Sequence, residues 1–338
     1  MNGRERILAA LRGEWPDRTP VMLHNFMPAA EESGITMQQY RTDPRQIARC
    51  LGDAAERYGL DGILVDMDTA TLAGAIGVPV QFPDDAPARV SGSCLSSLEA
   101  AGDLVPVDVS RDPRVQILLE AVRLLVCRLG GEILIRGNCD QCPFTLAGYL
   151  RGMDEWLMDL AGGEHEEQAH RLLEYCTGIT NQLLRLMART GCHMLSNGDS
   201  PAGPDMLSPR LYRQFALPYE QRVAACSREL GFPYVLHICG KTDRILEDML
   251  AVGADGFEID YKTDVSKAHR VFKDKVAFLG NLDPSGLLAF GTPELVAQKT
   301  RELIEIFSDT PRFILNSGCA LPPGTPAANL RAMLACRR

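Results

Sequence analysis

The chain has 338 residues and a formal net charge of −9, with 46% hydrophobic and 23% charged residues, which is ordinary for a soluble globular protein. No Lys/Arg run could follow a phosphate backbone, so nucleic acid is excluded as an expected partner. No apolar stretch approaches the roughly 18 residues of a membrane span, and neither a span nor a signal peptide is expected.

Eleven cysteines, an odd number, point to thiols or metal ligands in a reducing, cytoplasmic compartment rather than to disulfides. The opening MNGRERILAALRGEWPDRTP is charged and amphipathic and reads as an N-terminal helical extension. Short β-type runs follow at TPVMLH (19–24), GILVDMD (62–68), EILIRG (132–137) and HMLS (193–196). Four more come at PYVLHIC (233–239), GFEID (256–260), VAFLG (276–280) and RFILN (312–316). Amphipathic segments such as QILLEAVRLLVCRLGG and ELVAQKTRELIEIF supply the intervening helices.

Eight strands alternating with helices predict a (β/α)₈ TIM barrel, with a doubly wound open sheet as the alternative. With no linker or compositional break, residues 1–338 read as one barrel domain. The Pro-, Asp- and Ser-rich stretch around 79–113 reads as an insertion after the second strand.

The strand ends carry the functional signal. The apolar runs finish in His24 and Asn25, Asp66 and Asp68, Asn138, Asn197 and Asp199, and His237 and Cys239. The later ones continue into Glu258 and Asp260, Asn281, and then Asn316, Ser317 and Cys319. Barrel enzymes place their active sites where the carboxyl ends of the strands meet. Asn25, Asp68, Asn138, Asp199, Asp260, Asn281 and Asn316 are therefore expected to contact substrate.

His237 and Cys239, two residues apart on a strand, face one side. Cys319 sits in a glycine-flanked turn after the last strand. One imidazole and two thiolates suit Zn²⁺, and three ligands from distant strands leave a fourth position open, as in a catalytic site. Glu258 is a candidate for that position, or else a catalytic or substrate-binding carboxylate nearby. Cys139 and Cys142 in NCDQC form a rival pair without a second pair to complete a zinc knuckle. His24 and His193 read as hydrogen-bonded structural histidines. No phosphate-binding glycine loop is present in the sequence.

RERILAALRGEWPDRTPV, CPFTLAGYLRG (142–152), LSPRLYRQFALPY (207–219) and GNLDP (280–284) resemble the uroporphyrinogen decarboxylase superfamily, whose fold is a (β/α)₈ barrel. The decarboxylases themselves carry Arg-Gln-Ala-Gly-Arg-Tyr after the first strand, to bind porphyrinogen carboxylates. Here that place reads HNFMPAA, without arginine, although Asp68 matches their pyrrole-binding aspartate. HICG and SGCALPPGTP instead resemble the methylcobamide:coenzyme M methyltransferase branch.

That resemblance implies His237, Cys239 and Cys319 as zinc ligands. The similar ligand set of cobalamin-independent methionine synthase adds Glu258. It further implies methyl transfer between a corrinoid on a partner protein and a small thiol or methoxylated substrate. Two alternatives are a tetrapyrrole decarboxylase and a barrel that binds a corrinoid or tetrapyrrole without turnover. A homo-oligomer is compatible with either.

Overall fold

The computed structural model describes residues 1–337. Among them, eight parallel strands form one sheet in chain order. They are β1 (Met22–Leu23), β2 (Gly62–Val65), β3 (Leu134–Gln141) and β4 (Met194–Gly198), then β5 (Tyr234–Ile238), β6 (Gly256–Ile259), β7 (Ala277–Leu282) and β8 (Phe313–Ser317). A parallel bridge between Val21 and Leu315 joins the first and last strands, and Leu315 N–H donates to Pro20 O at 2.9 Å. The sheet closes, and the expected (β/α)₈ barrel is the fold.

Helix signals in the sequence are used as written. Asp43 and Asp112 cap the helices Pro44–Tyr58 and Pro113–Leu129, each accepting a backbone N–H with proline in the first turn. Residues 79–113 contain a small hairpin, Val80–Gln81 with Arg89–Val90, and two 3₁₀ turns.

Strand alternation sets the barrel interior. Met22, Leu134, Met194, Val235, Ala277, Leu279 and Ile314 form a separate apolar cluster with Ile7, Ala10 and Leu11 of the first helix, Gly3–Arg12. The N-terminal helix thus seals the barrel floor. Gly62 lies against it, where an added Cβ would stand 2.6 Å from Ile7 Cδ1.

Two residues further along the same inward columns the side chains become polar: Arg136 above Leu134, Ser196 above Met194, His237 above Val235 and Asn316 above Ile314. Outward-facing residues such as Phe257, Phe278 and Phe313 belong to the larger core between strands and helices. Apolar floor and polar mouth follow from one alternation.

Replacing Ile7 with Ala is expected to lower unfolding stability by about 2–4 kcal/mol, the usual cost of such a cavity. Any metal held by His237, Cys239 and Cys319 should be retained, because the change lies at the opposite end of the barrel. Denaturant unfolding and elemental analysis of the same preparation would check both.

Candidate metal centre and active-site cavity

β5 brings His237 and Cys239 to the mouth, and the turn after β8 brings Cys319 beside them. Imidazole Nε2 lies 2.8 Å from Cys239 Sγ, and the two sulfurs are 3.5 Å apart. Their donor atoms all fall within 4.8 Å of one another, and among the described residues no other group of three or more His, Cys, Asp or Glu converges in this way. Tetrahedral bonds of about 2.0–2.3 Å require donor separations near 3.5–3.8 Å. The 2.8 Å and 3.5 Å separations must widen by a few tenths of an ångström around an ion to reach that spacing.

His237 Nδ1 donates to the Glu258 carbonyl at 3.1 Å, which orients the ring and leaves Nε2 free to ligate. The Cys319 thiol donates to Cys239, and this bond, with the imidazolium nearby, pulls Cys239 down to about 3 against the opposing effect of burial. Cys319, as the donor, is pushed well above its ordinary value. Burial pulls His237 down, but the Cys239 thiolate and then Glu258 more than offset it, raising the imidazole to about 9. The cluster holds its protons as a stand-in for positive charge, which an incoming divalent metal would displace. The donor set, its spacing and the locked histidine fit zinc.

Glu258 lies behind His237, with Oε1 3.6 Å from Nδ1. Its Oε2 accepts from Arg136 Nη1, and both side chains are essentially sealed from solvent. Burial alone would raise this carboxyl. The Arg136 charge, followed by His237, holds it instead at about 2. Its oxygens are outside the converging donor set.

The cluster opens into a cavity of about 320 Å³ lined also by His24, Asp66, Asp68, Arg136, Asn138 and Asp140. Gln141, Asn197 and Ser200 complete its polar wall. Of the residues expected to contact substrate, the structure places Asp68 and Asn138 on this wall.

Four of the others serve the protein's own backbone. Asp199 accepts from Thr145 N–H and its hydroxyl, at 2.9 and 2.6 Å. Asp260 accepts from Gly240 N–H, Asn281 donates to Asp260 O, and Asn316 accepts from Ser317 N–H. Asn25 stands at the start of the short helix Phe26–Glu32 without a side-chain cap bond. Polar groups at strand ends are also what loops need to turn, so their position alone does not separate the two uses.

Asp68 is fully engaged even though it lines the wall. It accepts from Arg114, Thr71 Oγ1 and Ala70 N–H. His24 bonds Asp66 at 2.7 Å, as expected of a structural histidine, yet it also faces the cavity. His193 accepts from Ile135 N–H. Cys139 and Cys142 are buried thiols, and that burial pushes both well above the ordinary thiol value.

Arg136, Asp140, Gln141 and Ser200 were not anticipated as cavity residues. Arg136 was legible in principle, since it precedes Asn138 by two on one strand. Asp140 was not: it sits where the β3–β4 register shifts between Asn138 and Gln141, with φ of 59°.

The Arg136–Glu258 pair makes a testable demand. Arg136→Leu leaves a sealed carboxylate without its counter-charge and should cost about 3–5 kcal/mol. The double variant Arg136→Leu/Glu258→Gln should recover much of that loss. Additive losses in a denaturation cycle would show that the pair is not coupled.

The uroporphyrinogen decarboxylase (URO-D) family profile matches residues 2–338. The methylcobamide:CoM methyltransferase MtbA of Methanosarcina acetivorans is 27% identical over 339 residues, covering 99% of this chain and 97% of that protein. The uroporphyrinogen decarboxylase of Nocardioides sp. is 29% identical over 349 residues, covering 96% and 94%. A solved methyltransferase from Methanosarcina mazei superposes with a TM-score of 0.89 at 25% identity, covering 99% of this chain and 98% of that one. By a match that runs from the second residue to the last, the chain belongs to the uroporphyrinogen decarboxylase family.

Proposed function

We propose that this protein is a methyltransferase that moves a methyl group between a corrinoid carried by a partner protein and a small thiol or methoxylated substrate. The observation that carries the reading is the convergence of His237, Cys239 and Cys319 at the mouth of a substrate-sized cavity. The whole-length likeness to a methylcobamide:CoM methyltransferase supports it.

Zinc held by these three residues would act as a Lewis acid, favouring the thiolate form of a bound thiol near neutral pH or polarising an ether oxygen. The chain's own residues prepare that site. The Glu258 carbonyl holds the His237 tautomer, while Arg136 keeps the Glu258 carboxylate ionised and anchored behind it. Two cysteine thiolates would balance the metal charge, so that a third sulfur stays electron-rich. In this reading Glu258 supports His237 and reaches a fourth coordination position only by releasing Arg136.

The cavity gives little to a tetrapyrrole with many carboxylates. Asp68, at the position of a pyrrole-binding aspartate, is consumed by Arg114 and local backbone. Arg136 is the guanidinium on the wall, and Glu258 already neutralises it. A cytoplasmic setting suits the free thiols, which include two ligands that must stay reduced. No helix among the described residues is long and apolar enough to cross a membrane.

About one zinc per chain is expected, lost or strongly weakened in Cys239→Ala and in Cys319→Ala and retained in Glu258→Gln. The zinc-loaded wild type should demethylate methylcobalamin with a thiol acceptor, or methylate cob(I)alamin from a methoxylated donor, and neither cysteine variant should. A folded wild type that purifies without metal and takes up none would remove the proposal.

The same preparation is expected to leave uroporphyrinogen untouched, because no free guanidinium pair faces the cavity to bind its carboxylates. Stepwise loss of acetate carboxyl groups, followed by chromatography, would return the decarboxylase reading to first place.

A further inference from the structure

The charges of the cavity are paired, with one exception. Asp66 meets His24, Asp68 meets Arg114, and Glu258 meets Arg136. Asp140 has no basic partner. Its Oδ2 accepts from Leu72 N–H, and its Oδ1 has no hydrogen-bond partner although the residue is only 2% exposed.

The chain holds Asp140 in this position from several sides. Asn138 Oδ1 accepts from Asp140 N–H at 3.2 Å, and Asn197 Nδ2 donates to Cys139 O and to Asp140 O. The backbone adopts a left-handed conformation, φ 59°, uncommon for a residue other than glycine though better tolerated by Asp than by most. A buried acceptor without a donor is costly, and a buried carboxylate without a counter-charge more so. Burial, with Asp68 adding to it, raises the carboxyl to about 7, and a nearby cation would bring it back down. The side chain lines the same cavity as His237, Cys239 and Cys319.

We propose that Asp140 is a substrate-binding carboxylate, and that the substrate it selects is a small sulfur compound bearing an ammonium group. This rests on the methyl-transfer reading for the sulfur and on Asp140 for the charge. Oδ1 is sealed from solvent, so the side chain must turn to meet an ammonium, which would then donate to it and supply the missing positive charge while the sulfur lies at the cysteine–histidine cluster. An anionic substrate finds the reverse: Arg136 is already neutralised, and Asp140 repels it. The cavity is built for a cation.

Two thiols with the same two-carbon spacer separate these cases: 2-aminoethanethiol and 2-mercaptoethanesulfonate. Calorimetric titration of the zinc-loaded full chain is expected to show the ammonium thiol binding about tenfold or more tightly, the effect of one charge-assisted hydrogen bond. Asp140→Asn, nearly the same in shape, should abolish that preference while keeping zinc content and Tm. The wild-type comparison needs no variant to fold.

Equal or tighter binding of the sulfonate, or a preference that survives Asp140→Asn, would overturn the assignment. X-ray absorption on the same samples separates the two readings. Sulfur gained at zinc without an ammonium preference would refute the role of Asp140 and leave methyl transfer to a thiol intact. An ammonium preference that depends on Asp140 but brings no sulfur to zinc would support Asp140 and count against thiol chemistry.

Discussion

Arg136 and Glu258 face one another inside the barrel at the level where the apolar floor gives way to the polar mouth. Taking either charge out of water alone would cost several kcal/mol, by order of magnitude, so each exists there only because of the other. The pair does more than neutralise itself. Glu258 accepts the His237 Nδ1–H through its main chain and stands beside the ring with its carboxylate, so the tautomer that exposes Nε2 depends on where Glu258 is held. The imidazole held in this way converges with two sulfurs.

Below this level the barrel interior is filled by Met22, Leu134, Met194, Val235, Leu279 and Ile314 and closed by Ile7 of the N-terminal helix. The floor excludes water from one end of the cavity and gives the ion pair its low-dielectric setting, which strengthens the pair's attraction. Stability and site are therefore stacked along one axis. The same inward columns provide packing at the start of each strand and chemistry at its end, as is general for barrels of this kind.

Membership in a family named for a decarboxylase, with a methyltransferase of matching fold at a TM-score of 0.89, shows one scaffold carrying two chemistries. In this chain the differences from the decarboxylase pattern lie in side chains at strand ends. Soft donors stand at His237, Cys239 and Cys319, no arginine occurs in HNFMPAA, and Asp68 is turned inward to Arg114.

The eight strands, their parallel barrel and the shared face of His237 and Cys239 were legible in the sequence because each depends on local regularities. Alternation marks a strand, caps and amphipathic spacing mark helices, and residues i and i+2 on a strand share a side whatever the rest of the chain does. What only the tertiary structure decided is which polar strand-end residues face the cavity and which tie down loops. Asp199, Asp260, Asn281 and Asn316 were indistinguishable from Asn138 in sequence, yet their partners Thr145, Gly240, the Asp260 carbonyl and Ser317 show them working for the backbone. Arg136 and Glu258 are 122 residues apart, so the ion pair that anchors the Glu258 side chain behind His237 had no local trace. Asp140 turns toward the cavity only because β3 and β4 slip out of register at that point, and register is a property of two strands together, absent from either one alone.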